Sequence, residues 1–390
     1  MLRRICLLVN YNQYESKRHF TQQLAQAMMR HEIQVRILDV REQSLDKVAL
    51  EEIARFSPDL TCSFNSFSLT ADKKLLGDIV RIPHWSILVD PAFYSIYLTN
   101  SPYSIISSVD QFDVQELQFQ GFRNAFFWPH AIEAELPETT DPRIYDVVFI
   151  GSCYDYESML GYCRAHYSAE INEALRDAAS LVLSDKNISL SQAFVQAWNH
   201  AGLPLDRDLP YRDLLYFLDM YTRGMDRVEL IRHVHRAKVH IFGDLLQDQI
   251  YCKLGWANYL LGQPNVVLHP PVSYTESLSI LQKSKICLNS MPFFKNGSHE
   301  RVFAGFACGA LPLTSRNLYW QEKFVKDEEI LFYEHGQWDK VDALIEELLK
   351  DETRREAMVS KGRSKVLKQD TWDTRVQQMI HTLPQFMEKM

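Results

Sequence analysis

The 390-residue sequence is short of the features that mark several common classes of protein. It holds only 14 glycines and 15 prolines, too few for long flexible or proline-rich tracts. No apolar run approaches the roughly 18 residues that a membrane-spanning helix needs. The opening Met1-Leu2-Arg3-Arg4 imitates the start of a signal peptide. The apolar stretch 5–9 is too short for the core of one, however, and gives way to Asn10-Tyr11-Asn12-Gln13. A soluble, cytoplasmic protein is expected. The seven cysteines (Cys6, Cys62, Cys153, Cys163, Cys252, Cys287 and Cys308) form no CxxC pair, and several sit inside apolar runs. A disulfide framework or structural zinc site is thereby disfavoured, and buried thiols in a reducing compartment are expected. Excess positive charge is missing too. Lys+Arg 42 against Asp+Glu 50 gives −8, which argues against non-specific nucleic-acid binding while allowing a local basic pocket.

Metal signatures are also scarce. No DxD-type motif has a convincing strand context, and His233 and His235, in Arg-His-Val-His-Arg, have basic neighbours in place of carboxylate ligands. No resident metal and no cofactor are expected. The chain is otherwise 46% hydrophobic and 24% charged, an ordinary soluble composition. Its length favours two or three domains.

The apolar pattern supplies the architecture. Strand-like runs at 5–10, 33–40, 60–64, 85–89, 104–109 and 125–128 alternate with helical stretches such as 16–30 and 45–56, the signature of parallel βαβ units. Residues 1–135 are expected to form a doubly wound α/β domain. A polar stretch, 133–143, with Pro137 and Pro142 marks the boundary. The pattern restarts at Tyr145-Asp-Val-Val-Phe-Ile-Gly151-Ser152, is interrupted by a helical insertion at about 158–236, and resumes with strands at 239–243, 266–269, 286–289, 311–314 and 330–332. Helices at 337–349, 352–366 and 371–387 close the chain. A second α/β domain over 144–370, followed by a terminal helical segment 371–390, is expected.

In open α/β sheets, ligands bind beyond the carboxyl ends of the strands. Three such ends carry chemistry. At Gly151-Ser152 the glycine allows close backbone approach to an anion, and the following amides and hydroxyl can donate to it; the alternative is a turn that only leaves the strand. Neither GxGxxG nor GxxxxGK[ST] is present, which disfavours a dinucleotide oxidoreductase or a P-loop NTPase. The second end is Ser284-Lys-Ile-Cys-Leu-Asn289, feeding Pro292-Phe-Phe-Lys295-Asn-Gly-Ser298 and then the helical His299-Glu-Arg-Val-Phe-Ala-Gly-Phe-Ala-Cys308. Ser298 is expected as N-cap, Val302, Phe303, Phe306 and Ala307 as the buried stripe, and Gly309 as the stop. Free amides, the positive dipole end, Lys295, His299 and Arg301 together suit a diphosphate. An ordinary capped surface helix is the alternative. The third end is Asp90-Pro91 after the apolar strand at 85–89. There a carboxylate can orient or deprotonate a sugar hydroxyl, or Asp-Pro can simply form a turn. His130, in Trp-Pro-His-Ala-Ile, is a similar candidate, and Asn10 and Gln13 are candidate polar liners.

The runs Tyr145–Ser152, Ser284–Asn289 and Glu300-Arg-Val-Phe-Ala-Gly-Phe-Ala-Cys-Gly-Ala-Leu-Pro-Leu-Thr314 resemble the CgeB-like (spore-maturation-protein-like) group-1 glycosyltransferases of GT-B fold. The element Trp85–Pro91 resembles their amino-terminal half. The resemblance is specific over about 239–335, looser over 1–150, and absent in the helical insertion. It implies two Rossmann-like domains facing across a cleft, a nucleotide-diphosphate sugar as donor on the second domain, a glycan or protein acceptor on the first, and a final helix packing back on the first. Gly151 and Ser152 would face the donor phosphates, Arg301 would lie near the diphosphate, Asn289 and Ser298 would rim the pocket, and Gly243 would lie close to the nucleoside. Retaining members of the group often carry two glutamates eight positions apart. Here Asn296 and Ala304 stand at those places, and Glu300, one turn earlier on the same face, is the carboxylate left to hold the ribose.

The leading expectation is a metal-independent glycosyltransferase. In it Arg301, Lys295 and helix amides stabilise the leaving diphosphate, and Asp90 or His130 assists the acceptor. A nucleotide-sugar epimerase or phosphorylase on the same fold is an alternative. Another is a catalytically silent nucleotide- or sugar-binding partner protein that uses the insertion to dock.

Overall fold

A computed structural model describes residues 2–9, 12–40, 46–65, 74–136, 141–204, 206, 209–245 and 252–388. Asn10 and Pro137, together with the first residue of the helix expected at 45–56, lie outside them. The chain divides into two compact units, Met1–Leu136 with Ser273–Thr275 and Lys365–Met390, and Pro137–Val272 with Glu276–Ser364. No helix among the described residues is long and apolar enough to cross a membrane.

The first unit holds six parallel strands: β1 (Arg4–Val9), β2 (Gln34–Asp39), β3 (Leu60–Phe64), β4 (His84–Leu88), β5 (Ser104–Ser108) and β6 (Ala125–Phe127). Helices α1 (Ser16–Arg30), α2 (Lys47–Phe56), α3 (Leu76–Val80) and α4 (Gln111–Phe119) connect them, with a 3₁₀ stretch at Ala92–Asn100. The strand order is β2-β1-β3-β4-β5-β6. Strands β3, β4 and β5 are buried along their whole length, so, His84 at the start of β4 apart, they read as runs of apolar and small residues and not as alternating ones. Helix α1 turns Phe20, Leu24, Ala27 and Met28 inward, the 3.6-residue stripe its spacing predicts. The terminal helix Trp372–Met387 adds Trp372, Val376, Met379 and Leu383 to the same core as Ile5, Leu60 and Trp85. Each such side chain contributes roughly 1.5–3 kcal/mol on burial. Arg375 fastens this helix, pairing with Asp370 at 2.6 Å and donating to the carbonyl oxygens of Pro129 and His130.

The second unit holds β7 (Tyr145–Ile150), β8 (Val239–Phe242), β9 (Val266–His269), β10 (Ser284–Asn289), β11 (Leu311–Ser315) and β12 (Leu331–Tyr333). Between β7 and β8 stand four helices, α5 (Tyr156–His166), α6 (Ala169–Ser184), α7 (Leu190–His200) and α8 (Tyr211–Arg232). Then follow α9 (Trp256–Tyr259), α10 (Tyr274–Gln282), α11 (Glu300–Ala307), α12 (Leu318–Lys323), α13 (Val341–Lys350) and α14 (Glu352–Gln369). The strand order is β12-β11-β10-β7-β8-β9, all parallel. Counted from β7 this is 3-2-1-4-5-6 read from the β9 edge, the dinucleotide-fold order, whose direction reverses between β7 and β10. The doubly wound α/β expectation is met in both units.

Candidate functional site

The reversal point of the second sheet lies where β7 and β10 run side by side, with Phe149 opposite Leu288. There the chain from β7 and that from β8 approach so closely that only hydrogen fits. A Cβ at Gly243 would stand 2.1 Å from the Gly151 carbonyl oxygen. That oxygen also accepts from Trp256 Nε1 at 3.2 Å, and Gly151 N–H donates to the Phe242 carbonyl at 3.0 Å. The two glycines therefore fix the floor of the site.

Arg301, in the first turn of α11, reaches this floor. Its Nη1 donates to Asn289 Oδ1 at 2.8 Å, and Asn289 Nδ2 in turn donates to Thr314 Oγ1 at 2.9 Å. The guanidinium stands 5.6 Å over the Phe149 ring, and its Nη2 is 3.4 Å from the point where a side chain at Gly151 would begin. A planar cation held by a neutral amide keeps its charge available for a ligand. Sequence reasoning singled out Gly151, Asn289, Gly243 and Arg301 separately; the structure brings the first, second and fourth into one group, with Gly243 packed against Gly151.

Other expected members stand differently. The N-cap of α11 is His299, whose Nδ1 accepts from the Arg301 N–H at 3.3 Å, and not Ser298 as its residue type suggested. Ser298 is fully buried one position too early. Glu300 Oε2 lies 3.0 Å from that same His299 Nδ1, a contact that becomes an ion pair on protonation of the imidazole. Lys295, read as an open loop cation, is 1% exposed and donates its ammonium proton to the Val182 carbonyl of α6. The last carbonyls of a helix have no partner within it, and a buried ammonium answers that need. Ser152 is buried, its carbonyl accepting from Arg227 Nη1 at 2.7 Å. Ala304 is buried in the core of α11, and Asn296 is also buried.

Arg227 was not foreseen. It lies on α8, 4% exposed, with its guanidinium 4.5 Å over Tyr154 and 5.7 Å over Phe149. Beside it Asp226 is fully buried. Its carboxylate accepts from Ser290 Oγ (2.6 Å), Tyr333 OH (2.7 Å), Trp338 Nε1 (2.8 Å) and His335 Nδ1 (2.9 Å). Burial alone would raise its pKa, but the His335 charge and these hydrogen bonds outweigh it and bring it to about 2. The one sequence signal for both residues was charge at helical spacing inside a long amphipathic helix.

The first unit carries its own polar strand ends. Asp90 Oδ2 accepts from Asn65 Nδ2 at 2.8 Å, and Asn65 Oδ1 accepts from the Val89 N–H at 2.8 Å. Asn65, with φ 57, occupies the left-handed region that asparagine tolerates. Lys17 of α1 is near enough to sense Asp90; burial lowers its pKa and the carboxylate opposes that shift. His130 is 6% exposed, its ring 6.5 Å from Phe20 and its carbonyl holding Arg375. Gln13 is half-buried. His19 and Glu133, unforeseen, form a part-buried hydrogen-bonded pair.

His233 and His235 have carboxylates nearer than their sequence neighbours suggested. His233 Nδ1 is 3.8 Å from Glu229, and the His235 N–H donates to Asp342. No cluster of three or more His, Cys, Asp or Glu side chains that could hold a metal occurs among the described residues. All seven cysteines are free and all but Cys252 are buried. Burial pushes the Cys6 and Cys287 thiols up to about 12.

Residues 227–381 match the family model described as glycosyl transferase-like. No curated protein matches the chain. Among solved structures, a sucrose-phosphate synthase from Thermosynechococcus elongatus is 10% identical with TM-score 0.60, covering 100% of both chains. Anabaena HepE in complex with UDP and glucose is 10% identical with TM-score 0.57, covering 98% of this chain and 100% of that one. A glycosyltransferase from Rickettsia africae is 10% identical with TM-score 0.56 over 100% of both chains. The chain thus has the GT-B fold of these enzymes, with two Rossmann-like units.

Proposed function

We propose that the chain is a group-1, CgeB-like glycosyltransferase that moves a hexose from a nucleotide-diphosphate sugar to a glycan or protein acceptor without a resident metal. The observation that carries this reading is the meeting of Arg301 with Gly151 at the reversal point of the second sheet. The family match over 227–381 spans Asn289 and Arg301, and the Anabaena neighbour holds UDP and glucose. Both support it.

In this reading the acceptor oxygen attacks the anomeric carbon, the bond to the diphosphate breaks, and negative charge gathers on the leaving oxygens. Arg301, pre-oriented through Asn289 and Thr314, stabilises that charge without reorganising. Asp90, aligned by Asn65, receives the acceptor proton. His130 is left a packing and anchoring role by its burial. Seven free thiols suit the reducing cytoplasm, where we place the reaction.

The test is thermal stabilisation of the full chain by UDP-, GDP-, ADP- and dTDP-sugars, followed by assay of nucleoside diphosphate release with and without acceptors. At least one donor is expected to raise the melting temperature, and Arg301→Ala to weaken its binding by about 100-fold. Stabilisation by none of them, or an Arg301→Ala variant that binds as well as the parent, refutes the reading. The buried Ala304, at a position where retaining members often carry a glutamate, favours a second reading, a donor-binding protein that transfers nothing. Saturable binding with no diphosphate released over the whole acceptor panel would establish it.

A further inference from the structure

Helix α8 belongs to the segment inserted between β7 and β8, and most of its 22 residues are buried. A helix that served only to fill a crossover would bury apolar side chains. This one buries Asp219, Arg223, Asp226 and Arg227 as well, at spacings that put them along one flank. Buried charge is costly unless it is paired or used. Asp219 pairs with Arg223 at 2.7 Å, and Arg223 stacks 3.5 Å from the Phe293 ring. Asp226 gathers its four donors from the ends of β10 and β12 and the segment that follows. That network fixes the rotation of α8 about its axis and so aims the next residue, Arg227.

Arg227 Nη1 is 3.6 Å from the point where a side chain at Gly151 would begin, and Arg301 Nη2 is 3.4 Å from that same point. Both guanidinium groups flank the Phe149 ring. Each is steered by a neutral oxygen, Ser152 O for one and Asn289 Oδ1 for the other. Two cations from different elements converge on one spot, and glycine keeps that spot clear. Two planar forks are better matched to an anion with several oxygens on adjacent centres than to a single carboxylate.

We propose that Arg227 is a second diphosphate-binding residue and that the inserted helix α8 is a wall of the donor site, so that the insertion takes part in donor recognition. This rests on the reading that the site takes a nucleoside diphosphate. The ligand class it selects carries a pyrophosphate, bridged by Arg227 and Arg301, and the site discriminates against a single phosphate.

Calorimetric titration of the full chain with UDP, UMP, GDP, GMP, inorganic pyrophosphate and orthophosphate, repeated on Arg227→Gln and Arg227→Lys, tests it. The parent is expected to bind a nucleoside diphosphate at least tenfold more tightly than the matching monophosphate. Arg227→Gln is expected to weaken diphosphate binding at least tenfold while changing monophosphate binding less than threefold. Arg227→Lys keeps the charge and most of the stem should the glutamine variant fail to fold. Its compact ammonium lacks the planar fork that spans the Ser152 carbonyl and a bidentate phosphate contact, so a loss of at least fivefold is expected. Diphosphate affinity within twofold of the parent in either folded variant overturns the proposal and leaves the donor site standing. A parent that binds none of the six probes overturns the donor reading itself, and this proposal with it.

Discussion

At the strand ends of the second unit, two arginines surround a glycine floor, whereas the first unit sets Asn65, Asp90 and a half-buried Lys17 at the ends of β3, β4 and the start of α1. Both units are six-stranded parallel sheets, and both put these groups near the place where strand order reverses. Backbone geometry therefore supplies the location in each case, and the side chains alone supply the chemistry. A cationic rim suits an oxyanion. A carboxylate aligned by an amide suits a hydroxyl whose proton must leave.

The same contrast extends into the two cores. The second unit buries an ionised carboxylate with four donors around it. The first buries a neutral imidazole, His84, between Thr61 Oγ1 at 2.9 Å and Ser63 Oγ at 3.1 Å. Breaking the first arrangement should have the largest effect: Asp226→Asn is expected to cost the second unit about 3–5 kcal/mol, because four inward-facing donors lose their charged acceptor. Urea unfolding followed by tryptophan fluorescence reads it, Trp338 being one of the four donors. A loss below 1 kcal/mol would show that the hub is ornamental.

Acid titration sharpens the comparison next. Burial lowers the His84 pKa from 6.5 to about 4. Its folded value lies below its unfolded one, so its contribution is complete above pH 6.5 and is lost as pH falls towards 4, about 3 kcal/mol in all. Asp226, depressed from 3.8 to about 2, keeps its contribution until pH drops below about 4. The first unit should therefore loosen first on acidification, seen as earlier loss of amide-exchange protection in β3 and β4 than in β7 and β10. The reverse order would break the comparison.

Gly243→Ala is expected to cost about 1–3 kcal/mol, since its Cβ would meet backbone at Gly151 that has no rotamer with which to yield. A melting-temperature series including Gly161→Ala, where nothing lies within 4 Å and the backbone is helical, checks whether crowding is the cause. The smallest effect is expected at Arg30, which joins Asp373 at 2.6 and 2.7 Å but is about half exposed. Arg30→Ala should cost about 0.5 kcal/mol in dilute buffer and nothing measurable in 1 M salt.

Much of this architecture was legible because parallel strands buried on both faces leave short apolar runs between helical stripes. Leu60–Phe64 and Leu311–Ser315 stand where the pattern puts them. Gly151, Asn289 and Arg301 were legible by a local rule, polar residues directly after a strand or at a helix start. Arg227 escaped that rule. In sequence, a charge inside an amphipathic helix reads as its solvent face, and only the folding of α8 against β7 turns it inward. Ser298 and His299 differ by a single position, and propensity favoured serine while packing chose histidine. Lys295 was misplaced for a related reason: its loop is buried throughout.

That burial has a further consequence. Residues 290–299, which link β10 to the helix carrying Arg301, are wholly enclosed. Asn317 ties them down by donating to the Phe294 and Gly297 carbonyls at 3.1 and 2.9 Å, and the Leu318 N–H donates to Lys295 O. A connection of this kind has surrendered its conformational freedom during folding, before any ligand arrives. The Arg301 bracket is therefore assembled in advance, and occupancy of the site carries no entropy charge for ordering it.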